Sequence, residues 1–296
     1  MRVAIDGRTI QDHFPGIGRY VYNLAGALAA LPTDLELVLL VDPTHPSSRF
    51  DLHALDNVQL APAPVSPFSW RSQIAIPRLL RKLRVDVYHS TYYIMPYAPG
   101  CPTVVTLYDT IPFIYPAYLP SRRSRRVFRT ATRLAARRAD RILTISRAAA
   151  GDLARILSLD AATIAVTPLA AAGHFRPIED GEALARWKRA AGLPPDYVLY
   201  LGINKPHKNL ARLVRAWQQI RERWDAAWSA RPALVLAGKE DPRYPEVRQA
   251  VHAAGLQGEV YFAGEIADAD LPWLYAGATL FVFPSLYEGF GLPVLE

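Results

Sequence analysis

The chain has 296 residues, of which 51% are hydrophobic and 21% charged, and its formal net charge is +7. This length and hydrophobic content predict two globular domains, each with its own core, and exclude both a disordered chain and a small disulfide-stapled fold. We expect a soluble cytoplasmic protein, because no apolar run approaches the ~18 residues that span a bilayer and the opening residues, MRVAIDGRTI, do not resemble a signal peptide.

Strand-like and helical patterns alternate along the first half of the chain. Strands are predicted at residues 3–6, 35–41, 85–89, 103–107, 141–145 and 163–167, and helices at 17–31, 71–84, 122–138 and 147–157. Alternation of this kind predicts a parallel sheet covered on both faces by helices, which is an α/β fold of the doubly wound type.

A glycine-containing turn follows the first predicted strand. Residues 14–20 (FPGIGRY) place Gly16 and Gly18 at the opening of the first helix. A nicotinamide site would require a third glycine, but position 21 is Val21. A lone G-x-G is weak evidence for a ligand, and a plain turn is the alternative.

Three residues of the first half lie where strands end or begin. Cys101, the single cysteine, cannot form an internal disulfide, which favours a reducing compartment, and it is predicted to be a small buried residue. Asp109, after the strand at 103–107, either binds a ligand hydroxyl or acts on its proton, or it caps the next turn. Ser146 is predicted to be a helix N-cap.

The positive charge is concentrated in the first half, where residues 1–150 hold 19 Lys+Arg against 10 Asp+Glu. Much of it lies in residues 121–141, where arginines recur at helical spacing opposite an apolar face. The spaced arginines are Arg122, Arg126, Arg129, Arg133 and Arg137. This basic amphipathic helix either contacts an anionic membrane surface or is a solvated face over a core. Nucleic-acid binding is disfavoured, because aromatic residues are not interleaved with the arginines on their face, and Phe128 lies on the opposite, apolar side.

The pattern restarts after a proline-bounded segment, residues 168–177 (PLAAAGHFRP), which we interpret as a linker between domains 1–170 and 178–296. Strands are predicted at 197–201, 234–237, 260–263 and 279–283, with helices at 210–224, 245–254 and 270–276. A complete doubly wound domain usually has about six strands. We therefore expect the second domain to be truncated and the chain to be a fragment or a shortened reading frame.

The second domain opens with a basic loop, residues 201–209 (LGINKPHKN). Lys208 is predicted near the carboxyl end of a strand, where open parallel sheets bind ligands, and its ammonium there would neutralise a leaving diphosphate. Lys205 is a second candidate for phosphate contact. Ordinary surface lysines are the alternative interpretation.

A metal site is poorly supported by the sequence. Asp268 and Asp270 form a D-x-D pattern, but they directly precede a helical segment and are predicted to cap it. The seven histidines show no metal-binding spacing. Trp187, Trp217 and Trp224 lie on helical patterns and are predicted to pack in the core. We expect neither a metal nor a cofactor.

The final fourteen residues, 283–296 (FPSLYEGFGLPVLE), carry the strongest functional signal. A strand leads into a turn with Glu288, and a glycine-rich stretch then opens a helix that contains Glu296. The N–H groups of Gly289, Phe290, Gly291 and Leu292 are predicted to hold a phosphate oxygen, since helix-terminal amides carry partial positive charge. The two carboxylates would accept hydrogen bonds from sugar hydroxyls on either side. This arrangement suits a sugar nucleotide.

The segment resembles the E-x7-E signature of the family 4 retaining glycosyltransferases, which have the GT-B fold of two facing Rossmann-like domains. The resemblance implies that Glu288 binds the transferred sugar, that the amides after it bind the distal phosphate, and that Glu296 binds the ribose. It also implies that the loop with Gly16 and Gly18 faces the donor phosphates and the acceptor.

Two positions depart from the family pattern. The family has an Arg-Lys pair before Asn209, whereas this chain has His207 in place of the arginine, which leaves the second phosphate contact to Lys205. Many relatives have a histidine before the aspartate of the first-domain loop, where this chain has Tyr108.

The sequence therefore predicts a retaining glycosyltransferase that moves a hexose, mannose by resemblance, from a nucleotide diphosphate sugar to a hydroxyl acceptor on a glycan or lipid carrier. The candidate catalytic residues are Glu288, Lys208 and Asp109. Catalysis would consist of positioning and of stabilising the leaving diphosphate, at the inner membrane face if the basic helix binds lipid.

Two alternatives remain open at this stage. One is an inactive remnant that binds a lipid or a protein through its basic helix. The other is an epimerase or a phosphorylase of the same architecture, because a fold alone does not determine a reaction.

Overall fold

The structure is a computed structural model that describes residues 1–224 and 231–296. It divides into two compact units, Met1–Pro168 and Leu169–Glu296, each with its own parallel sheet. The predicted α/β class is confirmed. Among the described helices, none is both long enough and apolar enough to cross a membrane.

The first unit contains a seven-stranded parallel sheet in the order β3-β2-β1-β4-β5-β6-β7. Its strands are β1 (Arg2–Asp6), β2 (Glu36–Val41), β3 (Val58–Pro62), β4 (Val87–Ser90), β5 (Thr103–Thr106), β6 (Arg141–Thr144) and β7 (Ile164–Val166). Its described helices are α1 (Pro15–Ala29), α2 (Ser72–Lys82), α3 (Ile111–Ile114), α4 (Arg122–Arg138) and α5 (Arg147–Leu157). Short 3-10 turns lie at Leu52–Ala54, Pro116–Tyr118 and Ala161–Thr163.

The centre of this sheet is buried on both faces. Ile5 on β1 and Leu39 on β2 are at most 1% exposed, and they pack with Val21 and Ala25 of α1. Near-continuous apolar strands of this kind are typical of a parallel sheet covered by helices. From the neighbouring strands β1 and β4 the sheet extends in opposite directions, so the loops after these two strands diverge at its carboxyl edge.

Strand β3 is absent from the sequence-based prediction. It pairs only with β2, at the edge of the sheet, and of its five residues only Ala61 is buried. Pro62 ends the strand, and a proline cannot donate a hydrogen bond to a neighbouring strand. A short, half-exposed edge strand that ends in proline leaves little apolar periodicity to detect.

The arginine-rich segment forms α4 with the predicted bounds. Ser121 and Ser124 form a capping box at its start, in which Ser121 Oγ accepts a hydrogen bond of 3.0 Å from the Ser124 N–H. Phe128 and Ala135 are buried on one face. The helix is therefore anchored to the core of the unit by a narrow apolar face.

The second unit contains a four-stranded parallel sheet in the order β10-β9-β8-β11. Its described strands are β8 (Tyr197–Leu201), β9 (Ala233–Ala237), β10 (Val260–Gly264) and β11 (Leu280–Phe281). Its described helices are α6 (Gly181–Ala190), α7 (Leu210–Arg223), α8 (Glu246–Ala253) and α9 (Leu271–Ala276). Short 3-10 turns lie at Pro206–Lys208, Asp268–Asp270 and Leu292–Val294.

Alternate residues of β8 point to opposite faces of this sheet. Val198 and Tyr200 belong to a buried cluster with α7 and α8, whereas Tyr197 and Leu199 belong to a second cluster with α9. Trp217 lies in the first cluster at 3% exposure, which confirms its predicted role in packing. The sheet is thus covered on both faces.

Two predictions for the second unit need correction. Helix α6 was given no bounds in the sequence-based prediction, which placed only Trp187 on a helical pattern; Asp180 caps this helix by accepting a 2.8 Å hydrogen bond from the Ala183 N–H. None of its residues is fully buried, so its apolar periodicity is weak. Strand β11 is shorter than the predicted 279–283, because it lies at the edge of the sheet and pairs only with β8.

Candidate functional site

The sheet of the second unit reverses its winding between β8 and β11. The chain steps from β8 to β9 and β10 on one side, whereas β11 pairs with the other side of β8. The loops after β8 and β11 therefore diverge at the carboxyl ends of neighbouring strands, where open parallel sheets bind ligands. The loop after β8 carries the predicted site residues Lys205 and Lys208, and the loop after β11 carries Glu288 and the predicted phosphate-binding residues 289–291.

Lys208 and Glu288 contact each other across these loops. Lys208 Nζ lies 2.5 Å from Glu288 Oε1, and the two side chains are 15% and 19% exposed. The ammonium also lies 5.8 Å from the centre of the Phe283 ring. The structure therefore brings together two candidate catalytic residues that are separated by 80 positions in the chain.

His207 is the buried member of the basic turn and is 3% exposed. Burial, with the charges of Lys208 and Lys205, lowers the pKa of its imidazole to about 3. The side chain is uncharged at neutral pH, so it cannot supply the charge of the arginine that it replaces. Its carbonyl instead accepts a 2.8 Å hydrogen bond from the Leu286 N–H. Lys205 lies at the N-cap of the 3-10 turn Pro206–Lys208.

The segment after Glu288 turns sharply at Gly291, which has a φ of +91°. A Cβ at this position would lie 3.2 Å from Phe283 Cε1, so both backbone conformation and space favour glycine. Within the described residues, the N–H groups of Phe290 and Gly291 donate no hydrogen bond. The helix predicted to follow is a single 3-10 turn, Leu292–Val294, and not an α-helix. Gly289 is buried beside it.

Glu296 is held by a tyrosine. Tyr275 of α9 donates a 3.1 Å hydrogen bond from its hydroxyl to Glu296 Oε2, and its ring packs edge-on against Phe175 and Phe281. The second glutamate of the motif is therefore fixed to the face of the sheet that α9 covers.

A buried hydroxyl lies in the same loop as Glu288. The Ser285 Oγ atom is inaccessible to solvent, and it has no hydrogen-bond partner among the residues that the structure describes. Buried hydroxyls are normally satisfied, so an unpaired one in a candidate binding loop indicates a contact that a ligand or water supplies.

Three neighbouring strands of this sheet end at glycines with positive φ. The glycines are Gly202 (+153°), Gly238 (+119°) and Gly264 (+68°). Gly202 donates a hydrogen bond to the Ala237 carbonyl, and Gly238 donates one to the Gly264 carbonyl. A Cβ on Gly238 would overlap the Gly202 carbonyl. Gly238 and Gly264 are absent from the predicted site residues, although each directly follows an apolar run in the sequence.

A cavity of about 320 Å³ adjoins these glycines on the side of α7 and α8. Apolar side chains, among them Leu210, Val247 and Phe262, form its walls, and Asn204 and Asp241 also line it. Its size is within the range of small-molecule sites.

In the first unit, Gly16 and Gly18 lie in the first turn of α1 and not in a separate loop. A Cβ on Gly18 would come within 3.5 Å of the Thr9 carbonyl and of Ile10, whereas one on Gly16 would meet nothing within 4 Å. Gly18 thus permits close packing of α1 on the preceding loop, and Gly16 leaves the start of the helix open.

Asp109 is engaged by its own loop. Its Oδ1 accepts hydrogen bonds from the Ile111 N–H (2.8 Å) and from the Tyr93 hydroxyl (3.0 Å). The predicted cap of the next turn is therefore present. Tyr108 is buried, and its hydroxyl donates to the Thr91 carbonyl at 2.9 Å. Ser146 caps α5 as predicted, accepting from the Ala149 N–H at 3.0 Å.

A buried ion pair in the first unit escaped the sequence analysis. Asp6 and Arg8 form an ion pair of 2.6 Å, and the Tyr88 hydroxyl donates to the same carboxylate at 2.6 Å. Arg8 also donates to the Val65 carbonyl and to Ser72 Oγ. Burial by itself would raise the pKa of Asp6, but the Arg8 guanidinium lowers it below its ordinary value. The network fixes the loop between β1 and α1. The sequence signal that could have revealed this ion pair is the presence of Asp6 and Arg8 at the end of an apolar strand.

Other predicted residues have structural roles. Asp270 does not cap α9 as expected, since its Oδ1 accepts a 3.0 Å hydrogen bond from the Trp187 indole of α6. Cys101 is half-exposed and not fully buried, and burial raises the pKa of its thiol. Trp224 is half-buried at the end of α7. In the described ranges, no group of three or more His, Cys, Asp or Glu side chains is arranged to hold a metal ion.

Known proteins match both halves of the chain. The O-antigen chain mannosyltransferase B of Escherichia coli is 29% identical over 312 residues, which span 100% of this chain and 79% of that protein. The serotype-specific mannosyltransferase WbdA of Escherichia coli is 33% identical over 162 residues, 54% of this chain and 19% of that protein. The 2-deoxystreptamine N-acetyl-D-glucosaminyltransferase of Streptomyces fradiae is 31% identical over 200 residues, 67% of this chain and 46% of that protein.

Solved structures share the fold at lower identity. Sucrose-phosphate synthase from Thermosynechococcus elongatus superposes with a TM-score of 0.68 at 18% identity, over 99% of this chain and 77% of that one. Anabaena HepE in complex with UDP and glucose gives a TM-score of 0.67 at 18% identity, over 98% of this chain and 76% of that one.

Family models account for most of the sequence. The model Glycosyl transferases group 1 matches residues 182–296, and the model Glycosyltransferase Family 4 matches residues 15–171, more than half of the chain. The chain therefore belongs to Glycosyltransferase Family 4, and it is a glycosyltransferase with the GT-B fold.

Proposed function

We propose that the protein is a retaining glycosyltransferase that moves a hexose from a nucleotide diphosphate sugar to a hydroxyl acceptor in glycan assembly. One observation carries the proposal, namely the contact between Lys208 and Glu288 where the winding of the second sheet reverses. Mannose is the preferred sugar, because two of the relatives are named mannosyltransferases.

Lys208 is assigned to the donor diphosphate. Its side chain is 15% exposed, and its ammonium pairs with the Glu288 carboxylate, which a diphosphate of higher charge would displace. The loop that holds Glu288 also contains the N–H groups of Phe290 and Gly291 and the Ser285 hydroxyl, which have no hydrogen-bond partner among residues 1–224 and 231–296. As the glycosidic bond breaks, negative charge grows on the diphosphate, and fixed donors of this kind stabilise it.

Glu288 is assigned to the transferred sugar, and Glu296 to the ribose. Once the diphosphate binds the ammonium, the Glu288 carboxylate is released to accept hydrogen bonds from sugar hydroxyls. Glu296 is held by Tyr275, and a carboxylate has several acceptor positions, so it is suited to accept a hydrogen bond from a ribose hydroxyl. Anabaena HepE, a solved structure of similar fold, contains UDP and glucose, which supports a nucleotide sugar as donor.

We assign the acceptor to the first unit, at the carboxyl edge of its sheet, where Asp109 and the first turn of α1 with Gly16 and Gly18 lie. Asp109 Oδ1 already accepts two hydrogen bonds, which hold the carboxylate in a fixed orientation for an acceptor hydroxyl. The arginine face of α4 is assigned to an anionic membrane surface that would present a lipid-linked acceptor.

The donor assignment is tested by calorimetric titration of the full chain with GDP and with UDP. One of the two nucleotides is expected to bind and to raise the melting temperature, because a ligand that binds only the native state stabilises it. Lys208→Met is expected to weaken binding roughly tenfold or more, through loss of a charged hydrogen bond of about 1.5–3 kcal/mol.

Lys82→Met is the matched control, because Lys82 is exposed on α2 in the first unit. It is expected to leave nucleotide affinity unchanged. The donor assignment would be abandoned if neither nucleotide bound, or if both lysine variants lost affinity equally.

A further inference from the structure

Two asparagines bracket the turn that carries both candidate phosphate-binding lysines. Asn204 directly precedes Lys205, and Asn209 directly follows Lys208. Both asparagine side chains donate hydrogen bonds to backbone carbonyls of other loops, at Asp241, Tyr244 and Pro284. The turn is therefore fixed at both ends by side-chain amides.

Asn209 has an unusual conformation for the residue that begins a helix. It occupies the N-cap of α7 with a left-handed backbone (φ +61°, ψ +29°), and its side chain does not cap the helix. Its Nδ2 instead donates a 3.1 Å hydrogen bond to the Pro284 carbonyl, four residues before Glu288. The left-handed conformation is readily available to glycine and asparagine, and of these two only asparagine can donate this bond.

Asn204 holds the other end of the turn. Its Nδ2 donates to the carbonyls of Asp241 (3.1 Å) and Tyr244 (2.8 Å), and its Oδ1 accepts from the Asp241 N–H (2.6 Å). These three bonds tie the turn to the loop after β9. The amide is thus used on both its donor and acceptor sides.

Three consecutive residues join the turn to the loop after β11. The His207 carbonyl accepts from the Leu286 N–H, the Lys208 ammonium pairs with Glu288, and the Asn209 amide donates to Pro284. A donor would remove the Lys208 contact by taking the ammonium. The Asn209 bond involves no charged group, so it persists when that happens and keeps the two loops in register.

We propose that Asn209 is a positioning residue for donor binding, because it fixes Lys208 relative to the Glu288 loop, and that Asn204 fixes the opposite end of the same turn. This inference rests on the proposed function. A lysine side chain loses much rotamer freedom when it is held in one place, so a fixed backbone beneath it preserves affinity.

The test uses Asn209→Gly in the full chain, titrated with GDP and UDP. Glycine accepts the left-handed backbone, so the substitution removes the tether without straining the turn. We expect nucleotide affinity to fall roughly fivefold to tenfold, the effect of losing one hydrogen bond of about 1 kcal/mol. The control is Asn57→Gly, which makes the same change at another left-handed asparagine, in the first unit (φ +59°). It is expected to leave affinity unchanged.

A double-mutant cycle with Lys208→Met separates positioning from general destabilisation. If Asn209 acts through Lys208, Asn209→Gly has no further effect on nucleotide affinity in the Lys208→Met background. Equal weakening in both backgrounds would overturn the proposal. So would unchanged affinity of Asn209→Gly in a wild-type background that binds nucleotide, and this result would leave the proposed function intact. Absence of nucleotide binding by the wild type would instead reject the proposed function.

Asn204→Ala tests the other end of the turn. Like Asn209→Gly, it is expected to weaken nucleotide binding. Circular dichroism would check that the fold is retained. Unchanged affinity would remove Asn204 from the proposal.

Discussion

At the residue scale, the central feature is that Lys208 and Glu288 share one contact although each is assigned to a different part of the donor. The carboxylate neutralises the ammonium in the structure at 2.5 Å. On the proposed assignment, a bound donor therefore replaces the Glu288 carboxylate with its diphosphate as the partner of the Lys208 ammonium. The net gain from this exchange depends on how much more strongly the ammonium interacts with a diphosphate than with a carboxylate.

Glu288→Gln should separate nucleotide binding from sugar transfer. The variant removes the carboxylate that competes for Lys208. We therefore expect its affinity for GDP or UDP to equal that of the wild type or to exceed it by up to about tenfold. We expect release of nucleoside diphosphate from the nucleotide sugar to fall roughly hundredfold or more, because the sugar loses its charged hydrogen-bond acceptor. Calorimetry and a diphosphate-release assay give the two values. Weaker nucleotide binding by this variant would contradict the exchange.

At the element scale, α4 presents a strongly basic face to solvent. Arg122, Arg126 and Arg129 are exposed, and none of them is paired with a carboxylate among the described residues. Val127, on the same helix, is 58% exposed. A helix held by a narrow core face and carrying unneutralised arginines outside is suited to an anionic surface.

Replacing Arg122, Arg126 and Arg129 together by Gln tests this face. Each basic residue near an anionic surface contributes about 1 kcal/mol, so we expect sedimentation with phosphatidylglycerol-rich vesicles to weaken roughly a hundredfold. The matched control replaces three exposed arginines of α7, Arg212, Arg215 and Arg223, by Gln. Equal losses in both triple variants would show a dependence on net charge and not on α4.

At the scale of the whole molecule, each unit buries a histidine. His89 is 7% exposed with Nε2 at 2.8 Å from Thr106 Oγ1, and burial lowers its pKa from 6.5 to about 4. Burial lowers the pKa of His207 to about 3. Below about pH 6.5 the unfolded chain binds protons that the folded chain does not bind, so the free energy of unfolding decreases as pH falls.

We expect the wild type to lose stability between about pH 6.5 and pH 4, by on the order of 3 kcal/mol for His89 alone. His89→Gln retains a partner for Thr106 but cannot titrate, so its stability should fall less over this range. Urea denaturation followed by circular dichroism at several pH values measures the difference. His53→Gln, at an exposed position, is the control. Parallel curves for the wild type and His89→Gln would refute the assignment.

Local sequence patterns determined much of the secondary structure of this protein. Apolar strands and capped helices are encoded within a few residues, so the bounds of α4 and α5 agree with the prediction, and so does the α/β class. The motif at residues 283–296 also predicted Glu288 as a candidate, and the basic loop after a predicted strand predicted Lys208. Strand β3 was missed, and helix α6 was indicated only by Trp187, because both lie at the surface of their units, where apolar periodicity is weak.

The contacts between these residues and their charge states depend on the tertiary structure. The contact between Lys208 and Glu288 spans 80 positions and depends on the pairing of β11 with β8. The neutral state of His207 follows from its burial, and the tether from Asn209 to Pro284 follows from a left-handed backbone at a single residue. Sequence patterns report which residue types are present and how they are spaced. Charge state and contact depend on the neighbours that folding brings from distant positions, and for that reason only the tertiary structure decided them.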